Sequence, residues 1–151
     1  KSRVFLACTG SGAVCVIKTI RRSSVETEPN VHEAMRMKLK KELDLWRKVY
    51  PKFVGVRILT LNNIPSLMLP YFDSPKDRKE VAVLEAIEAT LLHDYDKNQF
   101  VHHDIAWRNI GIRRNGNNVE VVVFDMETVE KKEDSDIGWV EKAMTELKKS
   151  A

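Results

Sequence analysis

The chain has 151 residues, 43% hydrophobic and 31% charged, with a net charge of +3 at pH 7. That length supports a buried core without disulfide or metal staples, and the composition excludes a disordered or collagen-like chain. No apolar run approaches the roughly 18 residues of a spanning helix, and no signal peptide is recognisable. Two cysteines cannot build a disulfide framework, so an intracellular protein of cytoplasm or nucleus, with no membrane partner, is expected. The missing initiator Met predicts a piece of a longer protein.

In chain order, residues 4–9 and 13–20 are rich in Val, Ile, Cys and Phe and flank Gly10-Ser11-Gly12, predicting an antiparallel hairpin. Cys8 and Cys15 would lie near one another across it, as two small buried hydrophobes or as a disulfide. A polar stretch ends in Glu28-Pro29-Asn30, with Asn30 placed to cap a helix. From residue 31 to about 50, Met35, Leu39, Leu43, Trp46 and Tyr50 recur at the period of an amphipathic helix. Glu42 borders that stripe: either it is buried and needs a cation, or it lies in water beside Lys38. Residues 54–61 and 64–69 predict a second hairpin around Asn62-Asn63. Pro70-Tyr71-Phe72-Asp73-Ser74-Pro75 reads as a linker dividing the chain into 1–72 and 73–151.

The second half predicts a helix over 79–93 with Val81, Leu84, Ile87 and Leu91 on its apolar face, then a polar loop at 100–109. A hairpin follows, from 110–114 and 119–124 about Asn115-Gly116, and a helix over 137–149 with Trp139, Ala143 and Leu147 on one side. Strands and helices are segregated, so the class is α+β, in two lobes.

Residues 1–75 carry 13 Lys and Arg against 6 Asp and Glu; residues 76–151 carry 12 against 16. The excess in the front half crowds onto the first long helix as Arg36, Lys38, Lys40, Lys41, Arg47 and Lys48. This is either a solvated outer face or a nucleic-acid-binding surface.

Asp104, Asn109 and Asp125 are three short oxygen-bearing residues at turns, a set suited to a hard cation such as Mg²⁺. Lys18 ends a strand of the first half, and held by a carboxylate such as Glu42 it would present a fixed positive charge to phosphate oxygens. The bland alternative for Asp104 and Asn109 is a network of caps and turns. His102-His103-Asp104 also matches part of a metal phosphohydrolase pattern, although that fold is all-helical and this loop runs into strands.

His102-His103-Asp104-Ile105-Ala106-Trp107-Arg108-Asn109 resembles the H-R-D-L-A-x-R-N catalytic loop of protein kinases. Val16-Ile17-Lys18 resembles their third-strand V-A-I-K motif. The stretch from Glu42 to Lys48 is similar to the turn that carries their C-helix glutamate, and Phe124-Asp125-Met126-Glu127 stands where D-F-G would. The resemblance implies a two-lobed kinase-like fold, with a small antiparallel sheet and one helix in the first lobe and a minimal helical second lobe. It implies ATP and Mg²⁺ as cofactors. Lys18 would contact the nucleotide phosphates and pair with Glu42, and Asp104 would accept the proton of a substrate hydroxyl. Asn109 and Asp125 would hold Mg²⁺, with Leu69 and Tyr71 in the adenine-binding hinge. Arg108 matches the arginine that some tyrosine kinases carry in this loop. The wording from Ala106 to Gly111 is also similar to kinase-like domains of Crinkler-type effectors, which act inside a host cell.

Several positions depart from the kinase pattern. The chain starts near the second kinase strand, without the glycine-rich phosphate loop, so weak nucleotide affinity is expected. His103 replaces the arginine that reads a phosphorylated activation segment, Met126-Glu127 replaces Phe-Gly, and no A-P-E motif follows. The expected function is phosphoryl transfer from ATP to a hydroxyl on a protein or small molecule. An inactive pseudokinase or docking module, and a small-molecule kinase, are the alternatives.

Overall fold

The computed structural model describes residues 2–27 and 29–151. Lys1 and Glu28, the latter in the polar stretch expected before the first long helix, lie outside the described residues. The chain is α+β and divides into two units, the first reaching Tyr71 and the second spanning Phe72–Ala151.

In the first unit, β1 (Ser2–Cys8) pairs antiparallel with β2 (Val14–Ile20). The Thr9 N–H donates to the Ala13 carbonyl at 2.8 Å across the turn, and Gly12 adopts φ 84°, a left-handed conformation that suits glycine. The register sets Cys8 opposite Val14 and Cys15 opposite Ala7. Both thiols are free, Cys15 buried and Cys8 exposed, which corrects the expectation of two buried cysteines. Helix α1 (Val31–Val49) starts at Asn30, whose side chain accepts the Glu33 N–H at 3.1 Å, as the sequence predicts. Met35, Leu39, Leu43 and Trp46 make its buried face, while all six cations singled out on it are exposed.

Strands β3 (Arg57–Leu61) and β4 (Ile64–Pro70) complete a sheet of order β1-β2-β4-β3, with α1 packed on β2, β3 and β4. Asn62 and Asn63 both have positive φ, 48° and 64°, the requirement of a two-residue hairpin loop. Strand β3 starts later than the sequence suggests, because the Val56 N–H donates to the Phe53 carbonyl and Val54-Gly55 is spent in a turn.

The second unit starts with Asp73 pinned to Ile112 by a reciprocal pair of backbone hydrogen bonds, 2.9 and 2.7 Å, so the expected linker is tied down. Helix α2 (Val81–Thr90) is shorter than expected: it widens into a π-helical turn, Leu91–Tyr95, and closes in a 3₁₀ turn, Asp96–Asn98. The segment read as loop contains β5 (Phe100–His102) and a 3₁₀ turn, Trp107–Asn109. Strands β6 (Ile110–Asn115) and β7 (Asn118–Val123) form the expected hairpin, on which α2 lies. Its two-residue loop is Gly116-Asn117, one position on from the expected Asn-Gly, with Gly116 at φ 62°. Strand β8 (Val129–Lys131) pairs antiparallel with β5, and α3 (Trp139–Lys149) buries Trp139, Val140, Met144 and Leu147, leaving Ala143 half-buried. Among the described residues no helix is long and apolar enough to cross a membrane.

Candidate functional site

The first unit holds Lys18 and Glu42. Lys18 lies inside β2, two residues before its end, opposite Leu67 of β4. Its Nζ donates to Glu42 Oε1 at 3.0 Å and stands 2.8 Å from Oε2, and the two side chains are 5% and 3% exposed. Glu42 is therefore not the solvated partner of Lys38, whose Nζ donates instead to the Ser24 carbonyl. The apolar period of α1 carries the cause: Leu39, Leu43 and Trp46 turn Glu42 inward with them, where a lone carboxylate would be costly and a sheet lysine meets it.

The second unit holds Asp104, Arg108, Asn109 and Asp125. Arg108 Nη2 donates to both Asp104 oxygens, at 2.7 and 2.6 Å. Asn109 Nδ2 donates to the Asp104 carbonyl at 2.9 Å and to Oδ2 at 3.0 Å. Asn109 is buried and Asp104 half-buried, so the carboxylate is aimed by two donors from a single 3₁₀ turn. Trp107, between them in sequence, anchors the turn by donating its Nε1–H to the Leu147 carbonyl at 3.0 Å.

Asp125 is brought beside this loop through its predecessor. The Phe124 N–H donates to the Asn109 carbonyl at 2.7 Å, and the Phe124 carbonyl accepts from His102 Nε2 at 2.8 Å. Asp125 itself has φ 65°, a left-handed conformation that costs on the order of 1 kcal/mol without glycine and persists where the surroundings dictate it.

His102 is the hub of the loop. Its Nδ1 accepts the Asp104 N–H at 3.1 Å and stands 3.2 Å from Thr128 Oγ1, while its ring lies edge-on to Tyr95. With Nδ1 accepting, Nε2 carries the hydrogen that reaches Phe124. Burial, the largest influence, pulls its pKa below the ordinary 6.5, against the Phe124 hydrogen bond and the nearby Asp125 and Asp104 charges. Thr128 is the member of this set that sequence reasoning missed; nothing in its local pattern marks it. His103 is exposed and faces Glu130 at 3.2 Å.

Of the two hinge candidates, Leu69 is buried in the first unit, so only its backbone could meet a ligand, whereas Tyr71 is exposed. The described residues contain no group of three or more His, Cys, Asp or Glu side chains arranged to hold a metal ion. The donor set nonetheless fits Mg²⁺, which usually takes one or two carboxylates and completes its shell with water and phosphate oxygens. Asp125 offers the carboxylate. Asn109 offers Oδ1, because its Nδ2 is occupied by Asp104.

A family model described as a family of unknown function, DUF5898, matches residues 1–113. The chain belongs to that family. The DUF5898 match takes in Lys18, Glu42, Leu69, Tyr71, Asp104, Arg108 and Asn109 and ends before Asp125. No curated protein matches the chain.

Proposed function

We propose that this DUF5898 protein is an ATP- and Mg²⁺-dependent phosphotransferase of protein-kinase-like fold, moving the γ-phosphoryl group to a hydroxyl acceptor. The observation that carries the reading is the buried Lys18–Glu42 pair. A small sheet gains little from sequestering two charges, because desolvation offsets most of their attraction. A cation held rigid, though, suits the α- and β-phosphates of a nucleotide. In the second unit the Asp104 and Asp125 carboxylates and the Asn109 amide would be the groups that handle the metal and the acceptor.

Asp104 would orient the acceptor hydroxyl and take its proton. Among the described residues, Arg108 is the only donor to its Oδ1, which keeps a lone pair for that hydrogen bond. Arg108 and Asn109 hold the carboxylate in place for the transfer. Asn109 Oδ1 and Asp125 would hold Mg²⁺, which when bound neutralises charge developing on the phosphate oxygens.

Thermal melting in millimolar ATP tests the binding half: stabilisation is expected with Mg²⁺ and not without it. A ligand at a hundred times its dissociation constant adds about 2.7 kcal/mol. No shift would replace the reading with an inactive docking module. Phosphate transfer to a panel of protein and small-alcohol acceptors tests the chemistry. Asp104→Asn should lower transfer about 10²–10⁴-fold while leaving Mg-ATP binding nearly unchanged. Asp125→Asn should weaken binding and transfer together, since it removes a metal ligand. Transfer undiminished in Asp104→Asn would remove that residue from the chemistry.

A further inference from the structure

Where β2 ends and α1 begins, the first unit has a cavity of about 490 Å³ whose rim is formed by Arg3, Arg21, Arg22 and His32. Strand pairing accounts for the gathering. Arg3 on β1 lies opposite Thr19 on β2, two residues before the chain leaves the strand as Arg21-Arg22. The turn that follows is fixed: the Ser24 and Val25 N–H groups each donate at 3.0 Å to the Arg21 and Arg22 carbonyls, and Val25 is buried. Arg21 and Arg22 therefore sit on a pinned backbone turn.

No carboxylate lines the cavity among the described residues, and none of these four side chains has an ion pair there. Elsewhere the molecule commonly matches its arginines: Arg36 with Glu33, Arg108 with Asp104, Arg113 with Glu120 and Arg114 with Glu80. Three arginines lining one cavity, with no carboxylate lining it among the described residues, repel one another, and an anion would relieve that repulsion. Val31 and His32, in the first turn of the 19-residue α1, also line the cavity. Backbone N–H groups in a first helical turn have no acceptor within the helix, and they sit at its positive end. The inner wall is apolar, with Ile20 and Met35 each 5% exposed. Cationic rim and apolar wall together suit an anion carried on a compact organic body. Guanidinium forks match phosphate oxygens in particular.

We infer that this cavity is a binding site for a phosphate monoester. None of its residues belongs to the phosphotransferase set, so the two readings fail separately. The shared chemistry could come from free phosphate-bearing small molecules or from a phosphorylated side chain. Calorimetric titration of the intact chain, without Mg²⁺, with inorganic phosphate, a phosphoserine peptide and the same peptide unphosphorylated tests the inference. At least one phosphate-bearing probe should bind and the unphosphorylated peptide should not. Tighter binding of the phosphopeptide marks a side-chain source; equal or tighter binding of inorganic phosphate marks a free one. In the Arg21→Gln/Arg22→Gln variant, with an unchanged circular-dichroism melt, affinity should fall at least about tenfold, as expected when charge-assisted phosphate contacts are lost. No binding of either phosphate-bearing probe at millimolar concentration overturns the site. So does affinity retained in the double arginine variant.

Discussion

Protonating His102 would set two hydrogens against each other, because Nδ1 already accepts the Asp104 N–H at 3.1 Å. The ring is 2% exposed, and burial holds its folded pKa below 6.5. In the unfolded chain the same ring takes up a proton near 6.5, so unfolding absorbs a proton in the interval beneath that value. Stability should be complete above about pH 6.5 and decline as pH falls below it, by up to about 1.4 kcal/mol for each pH unit between the two values. Urea unfolding at about pH 7.5 and about pH 5.5 checks this, with His102→Gln expected to be less stable at both and less sensitive to the change. An equal loss in both proteins would place the titrating group elsewhere. The residue scale is also where sequence reading succeeded unevenly. Asp104, Arg108 and Asn109 stand out by residue type and spacing, and Arg108 closes on Asp104 from only four residues away, but Thr128 reaching His102 is a tertiary fact without a local signature.

Elements with a strong period or a forced turn were legible: α1 from its apolar stripe and Asn30 cap, the β6–β7 hairpin from its Val-rich strands and glycine-containing turn. Strands β5 and β8, three residues each, were not, because so short a run has no period and their pairing spans a long stretch of chain. The π-helical turn escaped for a related reason: Leu91 and Tyr95 are both fully buried, and a widened turn serves that burial without interrupting the apolar pattern. Gly111 shows an element depending on one missing side chain. A Cβ there would stand 2.6 Å from both Phe72 Cβ and Phe124 Cε2. The Phe124 ring can rotate, but Phe72 Cβ is fixed to a backbone whose next residue is bonded to Ile112 on the same strand. Gly111→Ala should therefore destabilise the protein by about 1–3 kcal/mol, the usual result of overpacking. Chemical denaturation reads this directly, and a change within about 0.5 kcal/mol would mean that the strand shifts freely.

For the whole molecule, the Lys18–Glu42 pair sets stability against function. Removing one partner strands a buried charge, so Lys18→Met or Glu42→Leu alone should cost roughly 3–5 kcal/mol. Replacing both removes the desolvation penalty along with the attraction, and apolar side chains would extend the packing of Leu39, Leu43 and Leu67, all 6% exposed or less. The Lys18→Met/Glu42→Leu protein should then match the parent in stability or exceed it by up to about 4 kcal/mol. A pair retained for its charge predicts that this stable protein no longer melts higher in Mg-ATP. A pair retained for architecture predicts the reverse, a double variant about as unstable as either single one. Denaturation and nucleotide-dependent melting of the four proteins separate the two, and a double variant that is stable and still responds to Mg-ATP would remove Lys18 from the phosphate site.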